Sequence, residues 1–405
     1  MSFRGDNMMS LGRNNRSAVL MALQQSGGTS RKRLAETLKL TPAAITHIAG
    51  EMLGEGLLRE GDLLKGQGAG RREVLLQINK CAGYALGALI NLRQALVSVS
   101  RLDGSVVAAE KVPLEPHAPG EKTVVLLCDH LNRLVQENGI PAAKIIGLGI
   151  AVRGIVSDDG RSVVNSFGAL KEKDFPICEQ FEAILGKKAE LANNVRALCA
   201  AETFLASEAH GAEFFLRCEY GIGAALSVDG RVWHGVSNQG AEIGHIPVVP
   251  RGGKLCSCGK CGCLETVASP AAILEDAMAV CSPEETPVLW NIMQEKGKDA
   301  VTTEDVFLAA RSGDAGVAEV VDRAVRLLAG ALKAVIYLID PGKITLYGRM
   351  FDDSFYLSRL LSEMQEGMDQ GHKVLMEKSR YNHQLDERCA CLLAVSRFFR
   401  EGGSL

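Results

Sequence analysis

One short segment, residues 244–265, concentrates side chains that can bind a metal ion. Four of the 12 cysteines fall within eight positions, and a histidine precedes them. Clustering of this kind in an intracellular protein favours metal binding over disulfides, and structural zinc takes four thiolate or imidazole ligands in a tetrahedron. One possible ligand set is His245, Cys256, Cys258 and Cys263; Cys261 in place of His245 gives the other. Either set predicts a structural zinc site.

A second group of residues has the types and spacing of a DNA-reading helix. Thr41 followed by Pro42 predicts a helix start, because threonine caps well and proline fits the first helical position. The apolar residues behind them form one stripe: Ile45, Ile48, Ala49, Met52 and Leu53. The opposite face is small or polar: Ala43, Ala44, Thr46, His47 and Gly50. Such a face can enter the major groove, where Thr46 and His47 can reach base edges.

The neighbouring segments complete a winged helix-turn-helix over residues 1–80. A helix over 17–25 ends at Gly27-Gly28, Ser30 caps a second helix, and a turn at 38–41 precedes the third. Two short strands follow around a glycine-rich, basic tip, whose cations suit DNA phosphates or the minor groove: Lys65, Arg71 and Arg72. The alternative interpretation is a helical docking domain that never meets DNA.

From about residue 81 strand-like and helix-like segments alternate, which predicts an α/β body. Residues 1–75 carry eleven Lys or Arg against seven Asp or Glu, whereas the whole chain has a net charge of −3, so a basic front precedes an acidic body. No apolar run approaches the roughly 20 residues of a membrane span, and the polar N-terminus lacks a signal-peptide pattern. We therefore expect a soluble cytoplasmic protein with no membrane partner.

The segment YGIGAALSVDGRVWHGVSNQGAEIGH, followed by CSCGKCGCLE, resembles the signature of the ROK family of bacterial repressors and sugar kinases. Cys218 departs from it, since an aliphatic residue is usual there. The resemblance covers residues 81–405 and implies an actin/hexokinase-like fold of two α/β lobes that close on a sugar. The smaller lobe is expected over 81–194, completed by 386–405, and the larger lobe, with the zinc loop and oligomer contacts, over 195–385.

Carried over by motif, the resemblance implies a set of sugar contacts with carboxylate, amide or imidazole side chains. His245 would place one ring nitrogen on zinc and the other towards the sugar. The alternative for Glu242 and Glu265 is a pair of carboxylates that are solvated or that stabilise the zinc loop. The implied contacts are Asn165, Asn193, Asn194, Glu242, His245 and Glu265.

The parts that the kinases of the family need are replaced. Their Asp-x-Gly-Gly-Thr phosphate loop aligns with Leu89-Ile90-Asn91-Leu92-Arg93, and their catalytic aspartate aligns with Asn194. An amide cannot take a proton from a sugar hydroxyl at neutral pH. In the segment LYGRM, the paired glycines expected under the nucleotide are replaced by Tyr347, Gly348 and Arg349. These differences predict that the chain is not an enzyme and uses no ATP.

The sequence as a whole predicts a transcription regulator, with repression as the expected mode, of carbohydrate-metabolism genes. It would bind double-stranded operator DNA as a dimer or tetramer and respond to a sugar or sugar phosphate. Two alternatives stay open. One is a sugar kinase with a DNA-binding head, and the other is a regulator controlled by protein contact instead of a sugar.

Overall fold

The computed structural model describes residues 8–64, 73–206, 211–367, 371 and 374–404, and these residues divide into two units. The first unit comprises the described residues up to 206 together with those from Gln384 onward. The second unit is formed by the described residues from 211 to His383. The boundary predicted at residue 194 coincides with the first residue of a helix, Asn194–Leu205, that belongs to the first unit.

Residues 8–78, which we call the head, contain three helices and a small antiparallel sheet of order β1-β3-β2. Both predicted helix caps are confirmed: Ser30 Oγ accepts from the N–H of Arg33, and Thr41 Oγ1 accepts from that of Ala44. The elements are α1 (Met8–Ser26), β1 (Thr29–Ser30), α2 (Arg31–Leu38), α3 (Pro42–Gly54), β2 (Leu58–Leu64) and β3 (Glu73–Ile78).

The rest of the first unit is built on a five-stranded sheet of order β10-β7-β4-β5-β6. β4, β7 and β10 are parallel neighbours, whereas β5 and β6 continue the sheet antiparallel from β4. The strands are β4 (Tyr84–Ile90), β5 (Gln94–Arg101), β6 (Val106–Pro113), β7 (Ile145–Val152), β8 (Ile155–Val156), β9 (Val163–Asn165) and β10 (Ala189–Asn193). The helices are α4 (Gly120–Glu137), α5 (Ile177–Leu185), α6 (Asn194–Leu205) and α13 (Leu385–Arg400).

Helix α13 lies directly against this sheet because glycines on two central strands leave room for it. A side chain at Gly149 would collide with the backbone oxygen of Ala390, and one at Gly87 would stand 2.7 Å from Cys391 Sγ. Alternation along β4 places Leu86, Ala88 and Ile90 on the opposite face, in the core shared with α4 and α5. The sheet is therefore covered by helices on both faces, as the alternating pattern predicted.

The residues that follow α13 join the sheet to the head. Arg16 on α1 donates to Gly402 O at 2.9 Å and also forms an ion pair with Glu55 just after α3. A side chain at Gly403, which has a positive φ of 71°, would stand 2.6 Å from Leu57 Cδ2 and 2.8 Å from Leu20 Cδ1. Segment 402–403 thus packs against the head within the first unit.

The second unit has a sheet of order β13-β12-β11-β14-β15, with parallel pairing of β11, β14 and β15. Each five-stranded sheet therefore has its earliest strand in the centre, with an antiparallel meander on one side and two parallel strands on the other. The strands are β11 (Ala212–Cys218), β12 (Ile222–Val228), β13 (Arg231–Trp233), β14 (Lys343–Tyr347) and β15 (Leu375–Lys378). The helices are α7 (Glu265–Ala268), α8 (Pro270–Ala279), α9 (Pro287–Lys296), α10 (Thr303–Arg311), α11 (Ala315–Ile339) and α12 (Ser354–Gln365).

The long helix α11 supplies much of the second unit's core. It buries a stripe that runs from Val317 to Ile336 against β11, β14 and the shorter helices. Among the described helices, none combines the length and the apolar character needed to cross a bilayer.

Candidate metal centre and effector-binding residues

The structure brings one histidine and three cysteines of the second unit together. One donor atom from each of His245, Cys256, Cys258 and Cys263 lies within 4.8 Å of all the others. His245 Nδ1 stands 3.5 Å from Cys256 Sγ, and Cys258 Sγ stands 3.6 Å from Cys263 Sγ. With zinc–sulfur distances of about 2.3 Å, the edge of a tetrahedron is about 3.8 Å. The spacing of these four donors therefore fits a tetrahedral metal ion.

Cys261, the ligand of the alternative set, is exposed and does not belong to this cluster. It lies on the outward part of the loop, where Cys256 N donates to Lys260 O at 2.8 Å. Gly262 then turns the chain inward with a positive φ of 75°, and a side chain there would collide with Val249 O. The path of the loop thus separates Cys261 from Cys263.

The thiols of the cluster influence one another's ionisation. Burial and the neighbouring Cys258 and Cys256 raise the pKa of Cys263 to about 12. Burial also opposes ionisation of Cys258, but the Lys260 backbone N–H and the two other thiols outweigh it, so its pKa lies below the usual value. Ionising one thiol therefore disfavours the next, and several thiolates together need a cation.

Glu265, two residues after Cys263, supports the turn between β11 and β12. Its Oε2 accepts from the N–H of Ile222 at 3.1 Å, and a side chain at Gly221 would collide with the same oxygen. Glu242 is exposed and begins the short helical turn Ile243–His245. Because Nδ1 of His245 faces Cys256, its Nε2 is left for another partner.

The three predicted contacts of the first unit stand around the loop after β7. Asn193 caps α6 through its Oδ1, which accepts from Val195 N and Arg196 N, while its Nδ2 donates to Gly154 O at 2.8 Å. Asn194 is buried at 5% exposure, and its Oδ1 accepts from Val195 N. Asn165, opposite Ile155 in the β8–β9 pair, accepts from Phe167 N. The amide oxygens are thus committed to the backbone, which leaves N–H donors for a ligand.

Side chains of the chain itself occupy the backbone where the nucleotide-binding glycine pair was expected. Asn382 Oδ1 accepts from Gly348 N at 3.2 Å, and Glu219 Oε1 accepts from Arg349 N at 3.0 Å. The stretch aligned with the phosphate loop is a tight hairpin, closed by Asn91 N donating to Gln94 O, in which Leu89 is buried. Sequence reasoning missed Glu219 and Asn382, because their partners lie 130 and 34 residues away.

The predicted DNA-reading residues divide between exposed, half-buried and undescribed positions. Ala43, Thr46 and His47 are exposed on α3, Ala44 is half-buried, and the stripe behind them is buried at Ile45, Ile48, Ala49 and Met52. Thr46 Oγ1 donates to Pro42 O at 2.8 Å, and His47 Nε2 stands 3.4 Å from Glu51. The tip residues Lys65, Arg71 and Arg72 lie outside the described residues.

A cavity of about 410 Å³ in the first unit is lined by none of the predicted site residues. It lies between α4, α5 and the amino end of β7, with Leu86, Asn132, Gln136, Ile145 and Lys187 in its wall. The three predicted contacts of the first unit stand at the carboxyl end of the same strand, where parallel sheets bind ligands. The cavity is therefore separate from the candidate site.

Comparison with known proteins relates the chain to both sugar repressors and sugar kinases. It is 27% identical over 342 residues to the N-acetylglucosamine repressor of Escherichia coli O6:H1, covering 83% of this chain and 80% of that protein. It is 25% identical over 302 residues to the xylose repressor of Caldicellulosiruptor bescii, covering 74% of each. The glucokinase of Halalkalibacterium halodurans is 28% identical over 247 residues, 60% of this chain and 74% of that enzyme.

The fold has a solved counterpart along nearly its whole length. The crystal structure of a ROK family transcriptional regulator, a homologue of the E. coli MLC protein, has a TM-score of 0.79 at 23% identity and covers 97% of this chain and 98% of its own. This similarity establishes the two-lobed actin/hexokinase-like fold. The ROK family itself matches residues 93–391, which is well over half of the chain. The chain belongs to the ROK family.

Proposed function

We propose that this ROK protein is a sugar-responsive transcription regulator of carbohydrate-metabolism genes, acting as a repressor. The observation that carries the proposal is the head, in which α3 buries one apolar stripe and exposes a face of small and polar residues. Relatives named as N-acetylglucosamine and xylose repressors support the same interpretation.

The exposed face of α3 suits a winged helix-turn-helix that reads the major groove. The small side chain of Ala43 allows close approach, the Thr46 methyl group can contact a thymine methyl, and His47 can bond a base edge. The wing is the β2–β3 hairpin, which pairs with β1. A homodimer presents two such helices to an operator with two-fold symmetry. Light scattering measures the mass of the protein in solution and so tests whether it is a dimer.

We assign zinc to the cluster of His245, Cys256, Cys258 and Cys263, since thiolate and imidazole ligands in a closed tetrahedral set are typical of structural zinc. Zinc bound there supplies a fixed positive charge that holds the loop. Glu265 follows the last ligand by two residues, so the loop positions its carboxylate against the β11–β12 turn. Metal binding and the predicted sugar contacts Glu242, His245 and Glu265 then depend on the same loop.

A kinase activity is disfavoured by groups that already occupy the relevant backbone. Glu219 and Asn382 take the N–H groups of Arg349 and Gly348, and a carboxylate at this place repels a phosphate. Asn194 cannot act as the general base. We therefore assign the protein to the regulatory branch of the family, without ATP.

The DNA-binding proposal is tested by fluorescence anisotropy with DNA from the region upstream of the protein's own gene. We expect Thr46→Ala and His47→Ala each to weaken binding by about tenfold or more, as loss of a base contact does. Lys111→Ala, an exposed cation on β6, is the control and should bind like the wild type. Equal binding by all four proteins contradicts the assignment of α3.

The effector part is tested by repeating the titration with a panel of sugars and their 6-phosphates. An effector changes DNA affinity only to the extent that it binds the DNA-bound and released states unequally. If none changes the affinity, the sugar response is wrong, and a pull-down from cell extract then tests control by a protein partner. ATP-dependent phosphorylation of any hexose contradicts the regulatory assignment.

A further inference from the structure

Two arginines stand at the carboxyl ends of neighbouring parallel strands in the first unit. Arg153 directly follows β7, and its N–H donates to Ile90 O at the end of β4. Arg93 stands in the turn from β4 to β5, three residues after Ile90. Both are exposed, and within the described part of the chain neither side chain forms an ion pair or hydrogen bond. Arg133 of the same unit, by contrast, is paired with Glu110.

Neutral hydrogen-bond donors flank the two cations. Asn193 is in register with Val152, and its Nδ2 reaches Gly154, the residue after Arg153. The amide oxygens of Asn165 and Asn194 already accept from the backbone, so these side chains also offer N–H groups. This edge therefore presents donors and positive charge, which suits a ligand rich in acceptor oxygens.

Two acidic side chains of the adjoining loops have other partners. Glu172 accepts from Gly120 N at 2.8 Å, and Asp159 accepts from Ser157 Oγ and from Arg161 N. At position 194 the chain carries an amide in place of the carboxylate of the family's kinases. A carboxylate there would repel an anion, whereas an amide does not.

We propose that the edge formed by Arg93 and Arg153 binds the phosphate group of a phosphorylated sugar. The inference rests on the proposed sugar response and narrows its effector to a sugar monophosphate. The arginine fork matches phosphate oxygens and bonds them through two N–H groups, while Asn193 and Asn165 bond the remaining oxygens or adjacent hydroxyls. Ligands of open parallel sheets bind at this carboxyl edge.

The test measures binding by calorimetry on the full chain without DNA, so it does not depend on operator binding. The probes are glucose, N-acetylglucosamine, xylose, the phosphate monoester of each sugar, and inorganic phosphate. We expect at least one phosphorylated sugar to bind at least about tenfold more tightly than its parent sugar, and Arg93→Ala or Arg153→Ala to remove about tenfold of that affinity. Arg93→Lys keeps the positive charge but lacks the two-pronged guanidinium, so it should lose less sugar-phosphate affinity than Arg93→Ala. Lys111→Ala should bind sugar phosphates like the wild type.

Three results overturn the proposal. The first is that no phosphorylated sugar binds in a manner that depends on the two arginines. The second is that inorganic phosphate binds as tightly as every sugar phosphate, which makes the edge a free-phosphate site. The third is that the double variant R93A/R153A keeps sugar-phosphate affinity but loses operator affinity and part of its salt dependence, which assigns both arginines to DNA phosphates. If the wild type fails to bind operator DNA, the proposed function is contradicted. The calorimetric results still test the phosphate site, because they do not depend on DNA binding.

Discussion

The β4–β5 turn and the β11–β12 turn occupy the same place in the strand orders of the two units, but their charges are opposite. The first turn carries the exposed side chain of Arg93. The second carries Glu219, which accepts from the backbone of Arg349, and it rests on Glu265 through Ile222 N. In the second turn the carboxylates use the backbone donors that an anionic ligand would need.

The comparison shows that topology decides where a turn lies, while a few side chains decide what it can bind. Two similar hairpins therefore differ in charge: one exposes the guanidinium of Arg93, and the other carries the carboxylate of Glu219 and holds that of Glu265 against its backbone. Glu219 of the second turn and Asn382 already occupy the backbone N–H groups of the two residues that follow β14.

The largest effect is expected from the metal loop, on which the second turn depends through Glu265. Cys263→Ser removes a ligand of the cluster, so we expect loss of bound metal and a fall of about 4 kcal/mol in the unfolding free energy, as for other lost metal sites. Elemental analysis and urea unfolding measure the two quantities. Cys261→Ser is the matched control, because Cys261 is exposed and outside the cluster. Metal lost in both Cys263→Ser and Cys261→Ser would identify the four-cysteine set instead.

A smaller effect is expected from freeing the backbone of the second turn. Asn382→Ala and Glu219→Ala each remove a partner of a backbone N–H, which should lower the unfolding free energy by about 1 kcal/mol. Neither variant should bind ATP with magnesium, because the phosphate-loop glycines and the catalytic aspartate are still absent. Urea unfolding and calorimetry check both statements, and ATP binding by either variant would mean that these side chains alone exclude the nucleotide.

The smallest effect is expected to be a pH dependence of the unfolding free energy. It would arise from the hydrogen-bond network that links Asp352 to Asn382 and His383. Asp352 accepts from Asn382 Nδ2 at 2.9 Å and stands 2.8 Å from His383 Nε2. Burial raises the pKa of Asp352, but His383 and Lys378 outweigh it and hold the pKa below the ordinary 3.8. A carboxylate whose pKa is lower in the folded state than in the unfolded state stabilises the fold above pH 3.8. That contribution is lost as the pH falls through the pKa of the folded state.

We therefore expect Asp352→Asn to be less stable than the wild type at pH 7 by less than about 1 kcal/mol, since the pair is partly exposed. The difference should shrink as the pH falls below 3.8. Urea unfolding at pH 7, 5 and about 3.5 measures it, with Asp158→Asn, an exposed residue of the first unit, as the control. A difference that stays constant across this range excludes Asp352 as its source.

Local features of the fold were predictable because their causes lie within a few residues. The caps Ser30 and Thr41 bond N–H groups three residues ahead, and the alternation of strand-like and helix-like segments predicted the α/β body. The metal ligands were predictable from residue type, but the choice between His245 and Cys261 depends on the path of the loop. The spacing of residues along the sequence does not determine the conformation of the loop.

Contacts between distant segments could not be predicted in this way. Arg16 and Gly402 are 386 residues apart, and no periodicity connects them. The sequence also does not reveal that the amide oxygen of Asn193 caps α6. Because that oxygen already accepts hydrogen bonds, Asn193 can offer a ligand only the N–H groups of its amide. For the wing tip at Lys65, Arg71 and Arg72, DNA contact stays a prediction.

The return of α13 to the first sheet constrains the order in which the protein can mature. A ribosome must synthesise every residue of the second unit before it adds Gln384 and the helix that follows. Until then the grooves over Gly87 and Gly149 lack their helix, and the head lacks its contacts with Gly402 and Gly403. A growing chain therefore cannot complete the unit that carries α3 before the cluster of His245 and the three cysteines has been synthesised. The head that we propose to bind DNA therefore acquires its last packing contacts only in a chain that already contains the metal loop.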